Sequence, residues 1–186
     1  MEFKPVRRIV IGHDQAGKAV ALYDGDLRPK QRSAGGNAVT ALWVTNEFPV
    51  DVSGTADRAD TQTGVPPPPN GTIFRIVDFP AASNAVAASP VAHDKVLIAM
   101  GIDPATQGYA RHANTHRTKS IDYAIVLDGE IDMLMDDSEI HIKSGDVVVQ
   151  QCTNHAWVNN SGSNCRIAFV LVDAKAPPAW QQAWKR

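Results

Sequence analysis

Apolar and β-branched positions along the chain fall into short runs that alternate with polar positions, which is typical of β-strands rather than of long amphipathic helices. In the first half of the chain, a turn over 14–17 joins two such runs into a hairpin. The runs that predict strands in this half are 8–11, 19–23, 38–45 and 72–79. Residues 52–70 are polar and end in four prolines, so we expect an extended loop there. Residues 80–95 are rich in Ala, Ser and Pro and predict an irregular surface segment.

In the second half of the chain, strand-like runs follow one another closely. The predicted strands are 96–100, 121–127, 130–135, 139–143, 146–151, 155–159 and 164–172. Turn-forming residues separate them, for example Asp128-Gly129 and Ser144-Gly145-Asp146. Many short strands joined by such turns predict an all-β sandwich or a closed barrel. Residues 177–186 predict a short helix in which Trp180 and Trp184 share a face.

Composition and charge narrow the expected partners and location. With 44% hydrophobic and 20% charged residues, the chain of 186 residues has the make-up of one globular domain. A net charge of -2 gives no reason to expect nucleic acid or an anionic membrane as a partner. No apolar run reaches the roughly 20 residues of a membrane helix, and the first residues lack the pattern of a secretory leader. Cys152 and Cys165 lack disulfide or metal-pair spacing, so we expect reduced thiols in a cytoplasmic protein.

The most informative segment is the polar one that leads into the predicted strand 121–127. Side chains alternate faces along a strand, so His116, Thr118, Ser120 and Asp122 share one side. The other side begins with Arg117 and Lys119, which we expect to face solvent. The polar row therefore points inward, where its members need partners in one another, a ligand, water or a metal.

Two stretches of the sequence resemble the two motifs of the cupin superfamily. In the first motif, His116 matches the first histidine, Asp122 takes the place of the glutamate and Gly129 matches the glycine, while Thr118 replaces the second histidine. The second motif corresponds to 145–159. Its matching residues are Gly145, His155 and Asn159, and Gln150 and Cys152 stand where the family usually has Pro and Gly.

The resemblance covers roughly 96–172 and implies a fold. It implies an all-β, cupin-type double-stranded β-helix, or jelly-roll barrel, with extra N-terminal strands and a short C-terminal helix. We expect the N-terminal strands and Pro-rich loop of 1–95 to pack on a barrel of 96–174, with 175–186 forming the helix, all in one structural domain. The run HRTKSIDYAIVLDGE is also similar to a subgroup of small bacterial and fungal cupins, some of which belong to secondary-metabolite gene clusters.

The resemblance also implies a site inside the barrel. Complete cupin sites hold one divalent metal, and this chain keeps His116, Asp122 and His155, which would suffice for Fe, Zn, Mn or Ni. A metal-free polar pocket built from the same residues is the alternative. In either case His155 and His116 are the expected catalytic residues. The residues expected to contact the substrate are Thr118, Ser120, Tyr123, Trp157 and His112.

Three functions remain open for such a site. The first is an enzyme of the lyase or isomerase type, which decarboxylates, dehydrates or isomerises an oxygenated organic acid, enol or polyketide-like intermediate. The second is a non-haem iron dioxygenase, and the third is a non-catalytic small-molecule sensor. We also expect a homodimer, because open barrels leave strand edges to cover, with Trp43 and the Pro-rich loop as candidate contacts.

Overall fold

The structure is a computed structural model and describes residues 3–32, 36–81, 90–108 and 110–181. The strands are β1 (Val6–His13), β2 (Ala19–Leu27), β3 (Gln31–Arg32), β4 (Ala38–Thr45), β5 (Thr72–Phe79), β6 (Ser120–Asp128), β7 (Glu130–Leu134), β8 (Glu139–Lys143), β9 (Val147–Gln151), β10 (Ala156–Val158) and β11 (Cys165–Asp173). The helical segments are α1 (Pro90–Ala99) and the 3₁₀ turns Arg58–Asp60, Pro104–Thr106 and Pro178–Gln181. In the described ranges, no helix is long and apolar enough to cross a membrane.

The strands form two larger sheets that enclose the core, and a separate hairpin. The six-stranded sheet has the order β3-β4-β5-β11-β6-β9, and the three-stranded sheet has the order β10-β7-β8. All their pairings are antiparallel. The buried core joins both sheets, with Val77 and Ile167 from the larger one and Ile131 and Met133 from the smaller one. The predicted all-β jelly-roll barrel is confirmed.

The N-terminal half of the chain contributes directly to the barrel. Strands β4 and β5 lie inside the six-stranded sheet, so this sheet draws on both sides of the expected boundary at residue 95. The β1–β2 hairpin packs on the outer face of the sheet, where Val6 and Leu27 contact a second apolar cluster of Leu42, Ile76 and Ala168. The hairpin predicted around the turn at 14–17 is present.

The strand predicted at 96–100 is wrong, because most of this segment belongs to helix α1. A short apolar run is compatible with both a buried strand and a buried helix, so the sequence alone does not distinguish them. The burial and contacts of its residues in the fold do. Here Leu97 is fully buried while the adjacent Ile98 is 66% exposed, and His93 contacts the carbonyl of Thr115 at 2.6 Å. The helix also replaces part of the irregular segment expected over 80–95, whose residues 82–89 lie outside the described residues.

The C-terminal segment forms a short helical turn, which ends the described part of the chain. Trp180 donates a hydrogen bond to the carbonyl of Cys152 at 3.2 Å, and the guanidinium of Arg117 lies 4.1 Å from the Trp180 ring centroid. The expected exposure of Arg117 is therefore wrong: the residue is buried and donates two hydrogen bonds to the carbonyl of Thr106. Trp184, expected on the same helix face, lies outside the described residues.

Two backbone positions carry the turn geometry of the motifs. Gly129 has φ +76° and lies so close to the start of β11 that a Cβ there would come within 2.9 Å of the Cα of Cys165. Only glycine meets both conditions. Cys152 has φ +53° although it is not a glycine, which explains why the related motif usually has glycine at this position. Burial raises the pKa of its thiol, which disfavours the reactive thiolate.

Candidate functional site

A cavity of about 380 Å³ opens between the sheets and is the candidate functional site. Helix α1 and the loop before β5 form part of its wall, where the amide of Val65 donates to the carbonyl of Met100 at 2.7 Å. The residues that line it are Asn37, Val39, Thr63, Gly64, Val65, Arg75, Val77, Phe79, Ala99, Met100, His116, Asp122, His155, Trp157, Phe169 and Leu171. An apolar wall that includes three aromatic rings, with a few convergent polar groups, is typical of small-molecule sites.

Two of these residues, His116 and His155, form a pair across the cavity wall. Each donates its backbone N–H to the carbonyl of the other at 2.9 Å, in an isolated antiparallel bridge. Their rings lie 4.4 Å apart between centroids and are inclined by 51°. Directly opposite residues of an antiparallel pair bring their side chains together, so the bridge itself places both imidazoles at one point.

Backbone carbonyls set the tautomer of both rings. Nδ1 of His116 lies 2.8 Å from the carbonyl of Asn114, and Nδ1 of His155 lies 3.0 Å from the carbonyl of Thr153. A carbonyl only accepts, so Nδ1 carries the hydrogen in each ring and Nε2 keeps its lone pair. The side-chain amide of Gln150 also contacts Nδ1 of His155, and because an amide nitrogen only donates, this Nδ1–H requires the Gln150 amide to present its oxygen. Each ring therefore has one nitrogen free to accept a proton or bind a ligand.

Burial keeps both imidazoles neutral. It lowers the pKa of His116 from 6.5 to about 4, and the positive charge of Arg75 acts in the same direction. The pKa of His155 is lowered well below its ordinary value by burial and by the proximity of His116. Both rings are bases rather than cations at neutral pH.

Two charged residues share the cavity with the histidines. Burial lowers the pKa of Arg75 to about 10 against the opposing effect of Asp122, so the guanidinium stays charged at neutral pH. Burial raises the pKa of Asp122, although Ser120 and Arg75 partly counteract this. Oδ1 of Asp122 is buried and has no hydrogen-bond partner among the described residues.

Arg75 is the site residue that the sequence prediction missed. The alternation along 72–79 contains the signal, because Arg75 occupies the same face as Ile73 and Val77, whose side chains are buried. An arginine in the middle of an inward-facing apolar row is unfavourable in a packed core, but here its side chain lines the cavity. The sequence alone does not show that β11 lies between β5, which carries Arg75, and β6, which carries Asp122.

The predicted metal ligands lie on the wall of one cavity, but they do not form a metal centre. Within 3–32, 36–81, 90–108 and 110–181, no group of three or more His, Cys, Asp or Glu side chains is placed to hold an ion. Thr118 stands where the cupin motif has a second histidine, and the shorter side chain of Asp122 stands for the glutamate. The nearby positive charge of Arg75 further opposes a divalent cation. These residues do not fit the expected three-ligand site.

The residues expected to bind substrate divide into three groups. Trp157 lines the cavity and packs edge-on against His155 and Phe169, with centroids 6.0 and 5.4 Å away. Tyr123 is 41% exposed on the outer face of β6, so its placement in the pocket is wrong. It follows Asp122 directly, and successive strand residues point to opposite faces.

Thr118, Ser120 and His112 lie near the cavity without lining it. The hydroxyls of Thr118 and Ser120 hydrogen-bond to each other at 2.7 Å, and both residues are buried. Nδ1 of His112 accepts the backbone N–H of Asn114 at 3.1 Å, within the turn that precedes His116. All three support the motif strand and do not contact the cavity directly.

Comparison with known proteins gives relatives over nearly the whole chain. The chain is 31% identical over 182 residues to "Phomopsin biosynthesis cluster protein C'" of Diaporthe leptostromiformis, covering 94% of this chain and 82% of the relative. It is 30% identical over 176 residues to "Cupin-domain-containing oxidoreductase virC" of Hypocrea virens, covering 90% and 76%. A similar protein, "Cupin-domain-containing oxidoreductase fogC" of Aspergillus ruber, is 28% identical over 177 residues, covering 90% and 72%. No family model matches the chain.

Solved structures with similar folds are more distant in sequence. A putative ethanolamine utilization protein Q from Salmonella typhimurium aligns over 93% of this chain and 100% of its own, with a TM-score of 0.44 and 11% identity. The Cnp3 cupin domain of Schizosaccharomyces pombe aligns over 90% of this chain and 87% of its own, with a TM-score of 0.44 and 10% identity.

Proposed function

The chain belongs to the cupin superfamily, and we propose on that basis that it is an enzyme that moves a proton on a small oxygenated organic acid, enol or polyketide-like intermediate. The relatives named as biosynthesis cluster proteins support a small organic substrate, whereas the oxidoreductase names of others favour the second candidate described below. The observation that carries it is the pair of neutral imidazoles, each with a free Nε2, in a cavity between the sheets.

The chemistry follows from the protonation state of this pair. Nε2 of His155 or His116 accepts a proton from a carbon next to a carbonyl, and the electrons of the broken C–H bond move to the carbonyl oxygen. Return of the proton to another carbon completes an isomerisation. Its delivery to a leaving hydroxyl completes a dehydration, in which that hydroxyl departs as water. Neither route changes the oxidation state of the protein or needs a further reactant.

The low pKa of the bases limits the substrate. A base whose conjugate acid has a pKa of about 4 removes only protons that are already acidic. A carbon between two carbonyl groups, as in an intermediate with alternating keto groups, meets this requirement. The aromatic wall of Phe79, Trp157 and Phe169 suits a planar apolar body beside the reacting carbon.

Solvent exchange tests the proposal with substrates chosen only for their acidic carbon. The test compounds are a panel of aryl β-keto acids, in which the exchanging carbon lies between two carbonyl groups. In D₂O, the protein should speed deuterium incorporation at this carbon in at least one of them, measured by ¹H NMR against buffer alone. His155→Asn and His116→Asn should lose this activity. His13→Asn, at the exposed end of β1, is the matched control and should keep it. The proposal would be contradicted if no compound of the panel exchanged faster with the protein than in buffer. It would also be contradicted if His155→Asn and His116→Asn both kept the wild-type exchange rate.

A metal-dependent oxidation is the second candidate, favoured by the names of the oxidoreductase relatives and by the two free Nε2 atoms. It requires a further ligand from solvent or substrate, since the described residues supply no group of three. Elemental analysis of the purified protein separates the candidates. We expect less than 0.1 Fe, Zn, Mn or Ni per chain and an exchange rate that a chelator leaves unchanged. One tightly held metal per chain, with O₂ consumption, would favour the oxidation.

A further inference from the structure

Arg75 projects from β5 into the cavity and has no explanation in the proton transfer itself. It lies on the wall that also holds His116, Asp122 and His155. It also borders a smaller adjoining recess with Lys30. The sheet places this charge in the same cavity as the reacting groups, although an apolar residue would extend the row of Ile73 and Val77 on the same face.

The guanidinium of Arg75 lacks the partners that other arginines of the barrel possess. Arg166 gives two hydrogen bonds to Asp78, of 2.8 and 3.0 Å, and Arg8 pairs with Asp57 at 2.5 Å. Nε of Arg75, in contrast, is shielded from solvent and has no hydrogen-bond partner among the described residues. An unsatisfied buried donor is costly, and an arginine fork is matched in geometry to a carboxylate.

The nearest opposite charge, Asp122, does not fill this role. It attracts Arg75 electrostatically, but the two form no ion pair among those of the described residues. Asp122 is only 6% exposed, and its Oδ1 accepts no hydrogen bond there. The cavity is therefore lined by a guanidinium whose Nε has no hydrogen-bond partner and by a carboxylate whose Oδ1 has none among the described residues.

We propose that Arg75 and Asp122 bind the acidic end of an aromatic hydroxy acid or enolised keto acid, whose carboxylate accepts from Arg75 and whose hydroxyl donates to Asp122. A carboxylate alone would meet repulsion from Asp122, and the hydroxyl removes this conflict by placing a donor between the two anions. Phe169 supports the arrangement, because its ring lies 6.0 Å from the Arg75 guanidinium and borders the same cavity. The inference rests on the cavity of the proposed function but not on its proton transfer.

Binding of salicylate and its uncharged analogue salicylamide tests this inference by calorimetry. Wild-type protein should bind salicylate more tightly than salicylamide. Arg75→Met should weaken salicylate about 10- to 100-fold and change salicylamide less than about 2-fold, since only the first ligand makes a charge-assisted pair. Arg75→Lys, which keeps the charge without the fork, should fall between. Arg7→Met removes an exposed hairpin arginine and should leave both affinities unchanged.

Two comparisons complete the test. Benzoate, which lacks the hydroxyl, should bind more weakly than salicylate to wild type, and Asp122→Asn should remove that difference. Equal binding of salicylate and salicylamide to wild type, or full salicylate affinity in folded Arg75→Met and Arg75→Lys, would overturn the inference. Wild-type protein that binds salicylate with the expected dependence on Arg75 but shows no deuterium exchange would contradict only the proton-transfer proposal, so the two failures give different results.

Discussion

His116 and His155 exchange two backbone hydrogen bonds of 2.9 Å and hold their rings 4.4 Å apart. One residue comes from the segment before β6 and the other from the segment before β10, so the bridge brings together one histidine from each sequence motif. Because backbone atoms make this connection, a change of either side chain leaves the bridge itself in place. The pair can therefore be tested by substitution without dismantling the barrel.

Replacing His155 should separate activity from folding. We expect His155→Asn to reduce deuterium exchange at least about 100-fold, the lower range for loss of a general base. Its unfolding temperature should fall by only a few degrees, because the ring contributes packing against Trp157 but the backbone bridge remains. Thr118→Ala should retain most of the exchange, since its hydroxyl contacts Ser120 and does not line the cavity. Exchange lost in Thr118→Ala but kept in His155→Asn would contradict this assignment.

Acid should destabilise the protein through its buried histidines. Unfolded His116 binds a proton below pH 6.5, whereas in the fold it does so only near pH 4. The unfolded chain therefore binds more protons in this window, and the free energy of unfolding falls as pH drops from 6.5 to 4, by roughly 3 kcal/mol for this residue. His155 acts in the same direction, and Asp122, whose pKa is raised, acts in the opposite one. Arg75 and His93 also lower the pKa of His116 electrostatically.

Urea unfolding at pH 7 and pH 4.5 checks this expectation. His116→Gln should lose less stability between the two pH values than wild type does, because glutamine does not titrate. His13→Gln, an exposed substitution at the end of β1, should behave as wild type. An identical loss in His116→Gln and wild type would show that other groups cause the acid effect.

The charges of Arg75 and Asp122 should cost stability in the absence of a ligand. Asp122→Leu leaves Arg75 without its counter-charge, so we expect a loss of roughly 1–3 kcal/mol in the free energy of unfolding. The double variant Arg75→Met/Asp122→Leu should recover this loss and reach or exceed wild-type stability, since apolar replacements of a buried charge pair are often neutral or stabilising. A double variant less stable than both single variants would show that the charges stabilise the fold.

A homodimer remains our prediction, and the structure suggests a surface different from Trp43 and the Pro-rich loop. The outer face of β6 and β9 carries apolar side chains that are between 41% and 63% exposed: Tyr123, Ile125, Leu127, Val147 and Val149. Tyr123 faces Val149 and Ile125 faces Val147 in the register, so the patch is continuous. Light scattering should give about twice 20.1 kDa for wild type and a lower mass for Ile125→Lys. A wild-type mass of one chain at micromolar concentrations would refute the dimer.

Local patterns in the sequence determined most of the strands and the inward face of the motif strand. The predicted bounds 38–45 and 72–79 coincide with β4 and β5, because alternation and flanking turns are properties of adjacent residues. The same alternation placed Asp122 inside, and applied to the next residue it would have placed Tyr123 outside. The resemblance to the cupin motifs was enough to predict that His116 and His155 lie in one cavity, because each occupies a motif position that is defined by its spacing from nearby residues.

Only the tertiary structure decided what surrounds the two histidines. The helix at Pro90–Ala99 depends on the burial of Leu97, and the burial of Arg117 depends on Trp180, far along the chain. Arg75 reaches the same cavity as Asp122 because β11 pairs with both β5 and β6. Alternation shows which face a side chain occupies, but the residue it meets across a cavity is set by strand pairing between distant segments. Among the described residues, the position of Arg75 in the cavity of Asp122, with its Nε unsatisfied, is a consequence of that pairing.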